Sequence, residues 1–169
     1  MSDLHAFDLQ EFIDHYNCKY YVESGTSEDT IDYALRFPFI RVYSIDPNPE
    51  LVQETRQRFW YNNRVQIFER THDTAFYELA RIIPSEYSAV VWLTDHYFPK
   101  NIEQLAKIRP GKKDVIIVNN HYCENLMDFV YISKYFGFTH KVKRADLGYS
   151  GKGLVLTPAR HGQSKVAVA

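Results

Sequence analysis

Hydrophobic and polar positions along this chain switch repeatedly between two periods. Short apolar or alternating runs, the mark of strands, are separated by stretches in which apolar residues recur every three or four positions, the mark of helices. Leu4, Phe7, Phe12, Ile13 and Tyr16 fall near one face of a helix spanning Leu4 to Tyr16. Lys19 to Glu23 then reads as a strand. A helix follows from about Ser27 to Arg36, with Thr26 and Asp29 spaced as a capping box. Arg41 to Ile45 is a second strand that ends at Asp46. Asn48 suits a helix cap and Pro49 the first helical position, and Leu51, Val52, Thr55 and Phe59 make the buried stripe behind them. Arg64 to Glu69 is a third strand. Phe76, Leu79, Ala80 and Ile83 repeat with helical spacing until Pro84 stops them. Ser88 to Leu93 is almost wholly apolar, as a central parallel strand covered on both faces should be. Asn101 to Ile108 reads as helix, Val115 to Val118 as strand, and Glu124 to Phe136 as helix. Thr139 to Arg144 and Gly153 to Thr157 flank a glycine-containing turn, which predicts an antiparallel hairpin.

Strand–helix alternation closed by a hairpin predicts an α/β fold, a doubly wound sheet of seven strands, mostly parallel with one antiparallel strand. Ligands of such sheets bind beyond the carboxyl ends of the strands, where the strand order reverses. The residues to weigh are therefore Glu23 to Thr30, Asp46, His72 and Asp73, Asp95 and His96, and Asn119 to His121. One domain is expected over residues 1–158, followed by a flexible tail at 159–169.

Composition changes this picture little. The 169 residues are 45% hydrophobic, enough for one real core. The net charge of −1 supplies no overall pull toward nucleic acid or an anionic membrane, and neither is expected as a partner. Aromatic residues, 15% of the chain, are assigned to the core and to subunit contacts rather than to base stacking, on the ground that basic residues do not cluster around them. No apolar run approaches the roughly 20 residues of a membrane span. The first residues, Met1 to His5, do not read as a signal peptide. Cys18 and Cys123 are far apart, which points to a reducing cytoplasm rather than a disulfide framework. Arg109, Lys112 and Lys113 read as a solvated basic turn.

Four short motifs fall at strand ends. They are Val22-Glu23-Ser24-Gly25-Thr26-Ser27-Glu28-Asp29-Thr30-Ile31, Ser44-Ile45-Asp46, His72-Asp73-Thr74, and Trp92-Leu93-Thr94-Asp95-His96-Tyr97. In this order the chain resembles small class I S-adenosylmethionine-dependent methyltransferases, which have a Rossmann-like fold. The resemblance implies S-adenosyl-L-methionine as cofactor. It implies that Glu23 and Gly25, with Thr26 in the same loop, line the methionine end, that Asp46 takes the ribose hydroxyls, and that Asp73 lies near the adenine. Three positions depart from the group's pattern. Ser27-Glu28-Asp29 replaces a second glycine, Thr94 stands in place of Asp, and Asn119-Asn120-His121 stands where Asp-Asp is common.

The charges carry a reading of their own. A loop bearing Glu23, Glu28 and Asp29 repels a pyrophosphate and attracts a sulfonium and an ammonium, which favours S-adenosylmethionine over NAD. Glu28 and Asp29 serve equally well as dipole-capping acids, and Asp73 as the cap of the next helix. His72, His96 and His121 follow three successive strands. His96, oriented by Asp95, is the leading candidate base, with His121 beside it as a further catalytic candidate. No metal is assigned, because the amides of Asn119 and Asn120 lower the charge that a hard cation needs. The function expected is S-adenosylmethionine-dependent methyl transfer to a small molecule or saccharide. Recognition would rest on the N-terminal helix, on Tyr97 to Asn101, and on a second subunit if the chain forms a homodimer. The alternative is a catalytically degenerate binder of adenosyl ligands or an interaction module.

Overall fold

The computed structural model describes residues 3–71, 74, 76–94, 98–109, 114–119, 140–143, 152–156 and 167–168. Eight strands form one sheet in the order β3-β2-β1-β4-β5-β7-β6-β8. They are β1 (Cys18–Ser24), β2 (Arg41–Asp46), β3 (Val65–Glu69), β4 (Ser88–Leu93), β5 (Val115–Val118), β6 (His140–Lys143), β7 (Lys152–Leu156) and β8 (Ala167–Val168). Strands β1 to β5 are all parallel, and β7 runs antiparallel to both β5 and β6. β8, drawn from the tail, lies parallel to β6. The order reverses at β1, with β2 and β3 on one side and β4 and β5 on the other, so the switch point lies between β1 and β4.

Successive strand residues face opposite sides, and both sides are buried. Tyr20, Val22, Tyr43, Ile45, Val91 and Leu93 pack beneath Leu79 of α4 (Leu79–Ile82) and Ile102 and Leu105 of α5 (Phe98–Ile108). Tyr21, Val42, Val90, Trp92 and Ile117 face α1 (Leu9–Tyr16), α2 (Glu28–Ala34) and α3 (Pro49–Arg58) through Phe12, Ile31 and Val52.

Two local signals redraw the expected boundaries. The single helix expected over Leu4–Tyr16 is a 3-10 turn, Asp3–Ala6, followed by α1. Asp8 divides them because its side chain accepts from the Gln10 amide and starts a new helix. Asn17 ends α1 in the left-handed conformation at φ 55°. At α3, Asn48 caps as its sequence position suggests, accepting from the Glu50 and Leu51 amides. The Thr26–Asp29 capping box does not form. Ser27 is the N-cap of α2 without a side-chain cap bond, and Asp29 turns instead to His5, 3.3 Å away.

The expected solvated turn at Arg109 is also corrected. Arg109 is buried and grips Asp114 through Nε–Oδ2 at 2.7 Å and Nη2–Oδ1 at 3.1 Å. It also donates to the carbonyls of Ile83 and Tyr87, while Asp114 accepts from the Ala89 amide at 2.9 Å. A planar guanidinium satisfies several acceptors at once, and this is what lets it replace a surface turn with a buried clamp. Lys112 and Lys113 lie outside the described residues. Among the described residues no helix is long and apolar enough to cross a membrane.

Candidate active site

The carboxyl ends of β1, β2 and β4 meet beside the switch point, and the Ser24–Ser27 loop crosses them. Gly25 carries the turn at φ 93°, and its amide donates to the Ile45 carbonyl at 2.9 Å. Only glycine adopts that conformation without strain. The space is also closed to a side chain, since a Cβ at Gly25 would sit 2.3 Å from Thr94 Oγ1. Thr94 donates that hydroxyl to the Ser24 carbonyl at 2.7 Å, locking the loop to the end of β4. Thr94, a departure from the motif by sequence, thus has a definite structural task.

Glu23 is completely buried. Its Oε1 accepts from Tyr21 Oη at 3.0 Å and Thr30 Oγ1 at 2.6 Å, and its Oε2 from the Ser27 amide at 3.0 Å and Ser44 Oγ at 2.9 Å. A carboxylate offers about four lone-pair sites, and all are taken. Burial pushes this carboxyl up to about 7, against the opposing pull of those four donors. Burial, then the neighbouring Glu23, pushes the Tyr21 phenol well above its ordinary range. The carboxylate expected to line the methionine end of a cofactor is therefore engaged by protein. It ties β1, the loop, the start of α2 and β2 together.

Asp46 differs. It is 9% exposed, its Oδ2 accepts from the Thr26 amide at 2.9 Å, and its Oδ1 accepts from the Asn48 amide at 2.8 Å. About half of its accepting capacity remains, spread over both oxygens. Thr26 Oγ1 lies 2.7 Å from Ser44 Oγ, whose own proton points to Glu23. A continuous line of hydrogen bonds thus runs from Asp46 through Thr26 and Ser44 to Glu23. The two acids border one region, with Glu23 inside the wall and Asp46 at its surface.

Sequence reasoning missed Ser44 and Thr30 as partners of Glu23. The signal was available, because β1 and β2 are adjacent parallel strands and their register sets Glu23 opposite Ser44. It also passed over the chemistry of Asn101, a fully buried residue of α5 whose carboxamide has no hydrogen-bond partner among the described residues. His72, Asp73, Asp95, His96, Asn120 and His121 lie outside the described residues. Among the described residues no group of three His, Cys, Asp or Glu is arranged to hold a metal.

The donor set fits the nucleoside half of S-adenosylmethionine, since Asp46 retains acceptors on both oxygens at the rim. It does not fit direct capture of the ammonium by Glu23.

The architecture is that of the class I S-adenosylmethionine-dependent methyltransferases. The chain is similar to a SAM-dependent methyltransferase from Aquifex aeolicus, at 14% identity and a TM-score of 0.60, covering 90% of each chain. It is similar to a precorrin 8W decarboxylase from Methanobacterium thermoautotrophicum, at 19% identity and a TM-score of 0.57, covering 94% of this chain and 91% of that one. It is also similar to the 23S rRNA methyltransferase ErmE, at 9% identity and a TM-score of 0.61, covering 95% of this chain and 69% of that one. No protein-family model matches the chain, and no curated protein matches it in sequence.

The last of these structures overturns the exclusion of nucleic acid as a partner, since the fold is shared with an enzyme named for its action on rRNA. The exclusion rested on net charge, which averages over a whole surface, whereas nucleic acid responds to local charge. The premise that basic residues do not cluster around the aromatic ones also fails. Thr55 to Phe68 holds three arginines, four aromatic residues and no acid.

Proposed function

We propose that this chain binds S-adenosyl-L-methionine at the carboxyl ends of β1 and β2 and transfers its methyl group to a small molecule or saccharide unit. The observation that supports this reading is Asp46, a carboxylate at the end of β2 with accepting capacity left on both oxygens. In this reading Asp46 accepts the ribose hydroxyls, while Gly25 and Thr26 form the floor beside them. Asp73 is the residue assigned to the adenine by the motif order. Glu23 holds the loop in shape from behind and touches no ligand. The bound cofactor supplies an electrophilic methyl group. The chain supplies alignment and, for a hydroxyl or amine acceptor, a base. We assign that base to His96, with Asp95 and His121 as further catalytic candidates. Asn101, buried at the start of α5, belongs to the acceptor side together with the segment from Tyr97. A cytoplasmic setting suits Cys18, a free buried thiol pushed up to about 12 by burial and by Asp114. An acceptor carried on RNA belongs in the same screen, because ErmE shares the fold.

A second reading, adenosyl-ligand binding without catalysis, draws on two observations. Thr94 fills the space at Gly25, and Glu23 has no free lone pair. Both concern the methionine end, where a methyl donor must be held most exactly. Incubation with methyl-labelled S-adenosylmethionine and a panel of small-molecule, saccharide and RNA acceptors separates the two. Transfer that is lost in His96→Ala while S-adenosylhomocysteine still binds supports the enzyme. Binding with no transfer to any acceptor supports the binder.

A further inference from the structure

The opposite end of the sheet carries a second surface with different chemistry. Where α3 ends and β3 begins, a cavity of about 400 Å³ opens among Arg56, Phe59, Trp60, Asn62, Asn63 and Gln66. It faces the amino-terminal half of β3, the edge strand, and is therefore remote in topology from Asp46 at the carboxyl end of β2. Its size is that of a site for a small planar ligand. Trp60 stands 82% exposed on its rim and Tyr61, next in sequence, is 64% exposed. A tryptophan this exposed contributes almost nothing to the core, so the fold does not explain it.

The lining is specific in character. Of its three carboxamides, Asn63 and Gln66 each offer both a donor and an acceptor, while Asn62 keeps its amide donors and accepts at Oδ1 from the Arg64 amide at 3.0 Å. No acid lines the cavity. Arg56 donates twice to the Ile67 carbonyl, at 3.1 and 2.7 Å, which fixes its guanidinium at the wall and covers an outward-facing carbonyl of the edge strand. Arg58 lies over the Phe59 ring at 4.9 Å, reaches Tyr61 Oη at 3.4 Å, and is partly offset by Asp32 at 3.5 Å. Arg64, by contrast, is spent on the carbonyls of Leu35, Phe37 and Phe39.

From an exposed indole, amides able to read base edges, a cavity lined by Arg56 and by no acid, and Arg58 beside it, we infer that this corner binds single-stranded nucleic acid. An unpaired base stacks on Trp60, its edge meets Asn62, Asn63 or Gln66, and a flanking phosphate meets Arg58. Stacking on an aromatic ring is tolerant of base identity, because every base has a π-face. The positive corner supplies the charge complementarity that an apolar protein partner would not need. This inference is independent of methyl transfer at the other end of the sheet.

The test is fluorescence anisotropy of a labelled single-stranded oligouridylate RNA with the full chain at low salt. Wild type binds, Trp60→Ala weakens binding about tenfold or more, and Trp60→Phe retains most of it. Arg58→Ala reduces the slope of log affinity against log salt by about 0.7. Because Trp60 is exposed, its variants keep the wild-type melting temperature. Absence of binding by wild type, or equal binding by Trp60→Ala, overturns the inference. So does a dimer, seen by light scattering, that Trp60→Ala dissolves while RNA binding is absent or unchanged.

Discussion

At the scale of single residues, the loop after β1 is held by two devices that differ in kind. Gly25 supplies a backbone conformation closed to other residues, and Thr94 occupies the space in which a side chain would grow. Gly25→Ala therefore carries two penalties, strain at φ 93° and a clash with Thr94 Oγ1. A destabilisation of about 2 kcal/mol or more is expected in urea unfolding. Gly25→Ala combined with Thr94→Ala recovers part of that loss, because the clash is removed and the strain is not. A double mutant as unstable as the single one would show that the clash is unimportant.

Glu23 gives a pH signature. Its folded value of about 7 lies above its ordinary value of 4.5, so between these limits the folded state binds more protons than the unfolded chain. Stability from this group therefore rises as pH falls from above 7 toward 4.5, by up to about 3 kcal/mol. The melting temperature of wild type relative to Glu23→Gln should improve between pH 8 and pH 5. A constant difference across that range would mean that burial does not shift this carboxyl.

At the scale of elements, the strands were legible because both faces of the sheet are covered. Continuous apolar runs such as Ser88 to Leu93 and Val115 to Val118 are too short for a buried helix and rich in β-branched residues, which favours strands. The helices were less so. α4 is a single turn although Phe76, Leu79, Ala80 and Ile83 have ideal spacing, because buried apolar residues are also satisfied by the turns that precede it. Arg109 was misread as surface for a related reason. Its partner Asp114 lies five residues on in the chain, and the carbonyls it serves belong to the segment before β4, so no local pattern could reveal them. This clamp joins the end of α5 to the starts of β4 and β5. Asp114→Asn leaves the guanidinium buried with a weakened partner and should cost about 3–5 kcal/mol in denaturant unfolding. A loss below about 1 kcal/mol would return Arg109 to the solvated turn first expected of it.

At the scale of the whole molecule, the two ends of the sheet differ in charge. Acids gather where the strands end and helices begin, among them Glu28 and Asp29 on α2 and Glu50 on α3. Arginines gather where helices end, with Arg56 and Arg58 in the last turn of α3. Each placement suits the helix dipole. The net charge of −1 conceals this separation. That is why a whole-chain balance led to the wrong conclusion about nucleic acid, while the strand ends that carry Glu23 and Asp46 could be read from the alternation of elements. The candidate site was legible as a set of strand-end acids. What was not legible was which acid turns inward, since that depends on Ser44, Thr30 and Tyr21 converging on Glu23 from other elements.

The central claim is that the end of β2 presents a carboxylate to the ribose of an adenosyl ligand. Isothermal titration calorimetry of S-adenosylhomocysteine against wild type, Asp46→Asn and Asp46→Ala tests it most directly, with thermal unfolding to confirm that each variant is folded. The account predicts saturable binding to wild type, a loss of about tenfold or more in Asp46→Asn, and no detectable heat with Asp46→Ala. Equal affinity in all three proteins, or no binding to wild type, would contradict it.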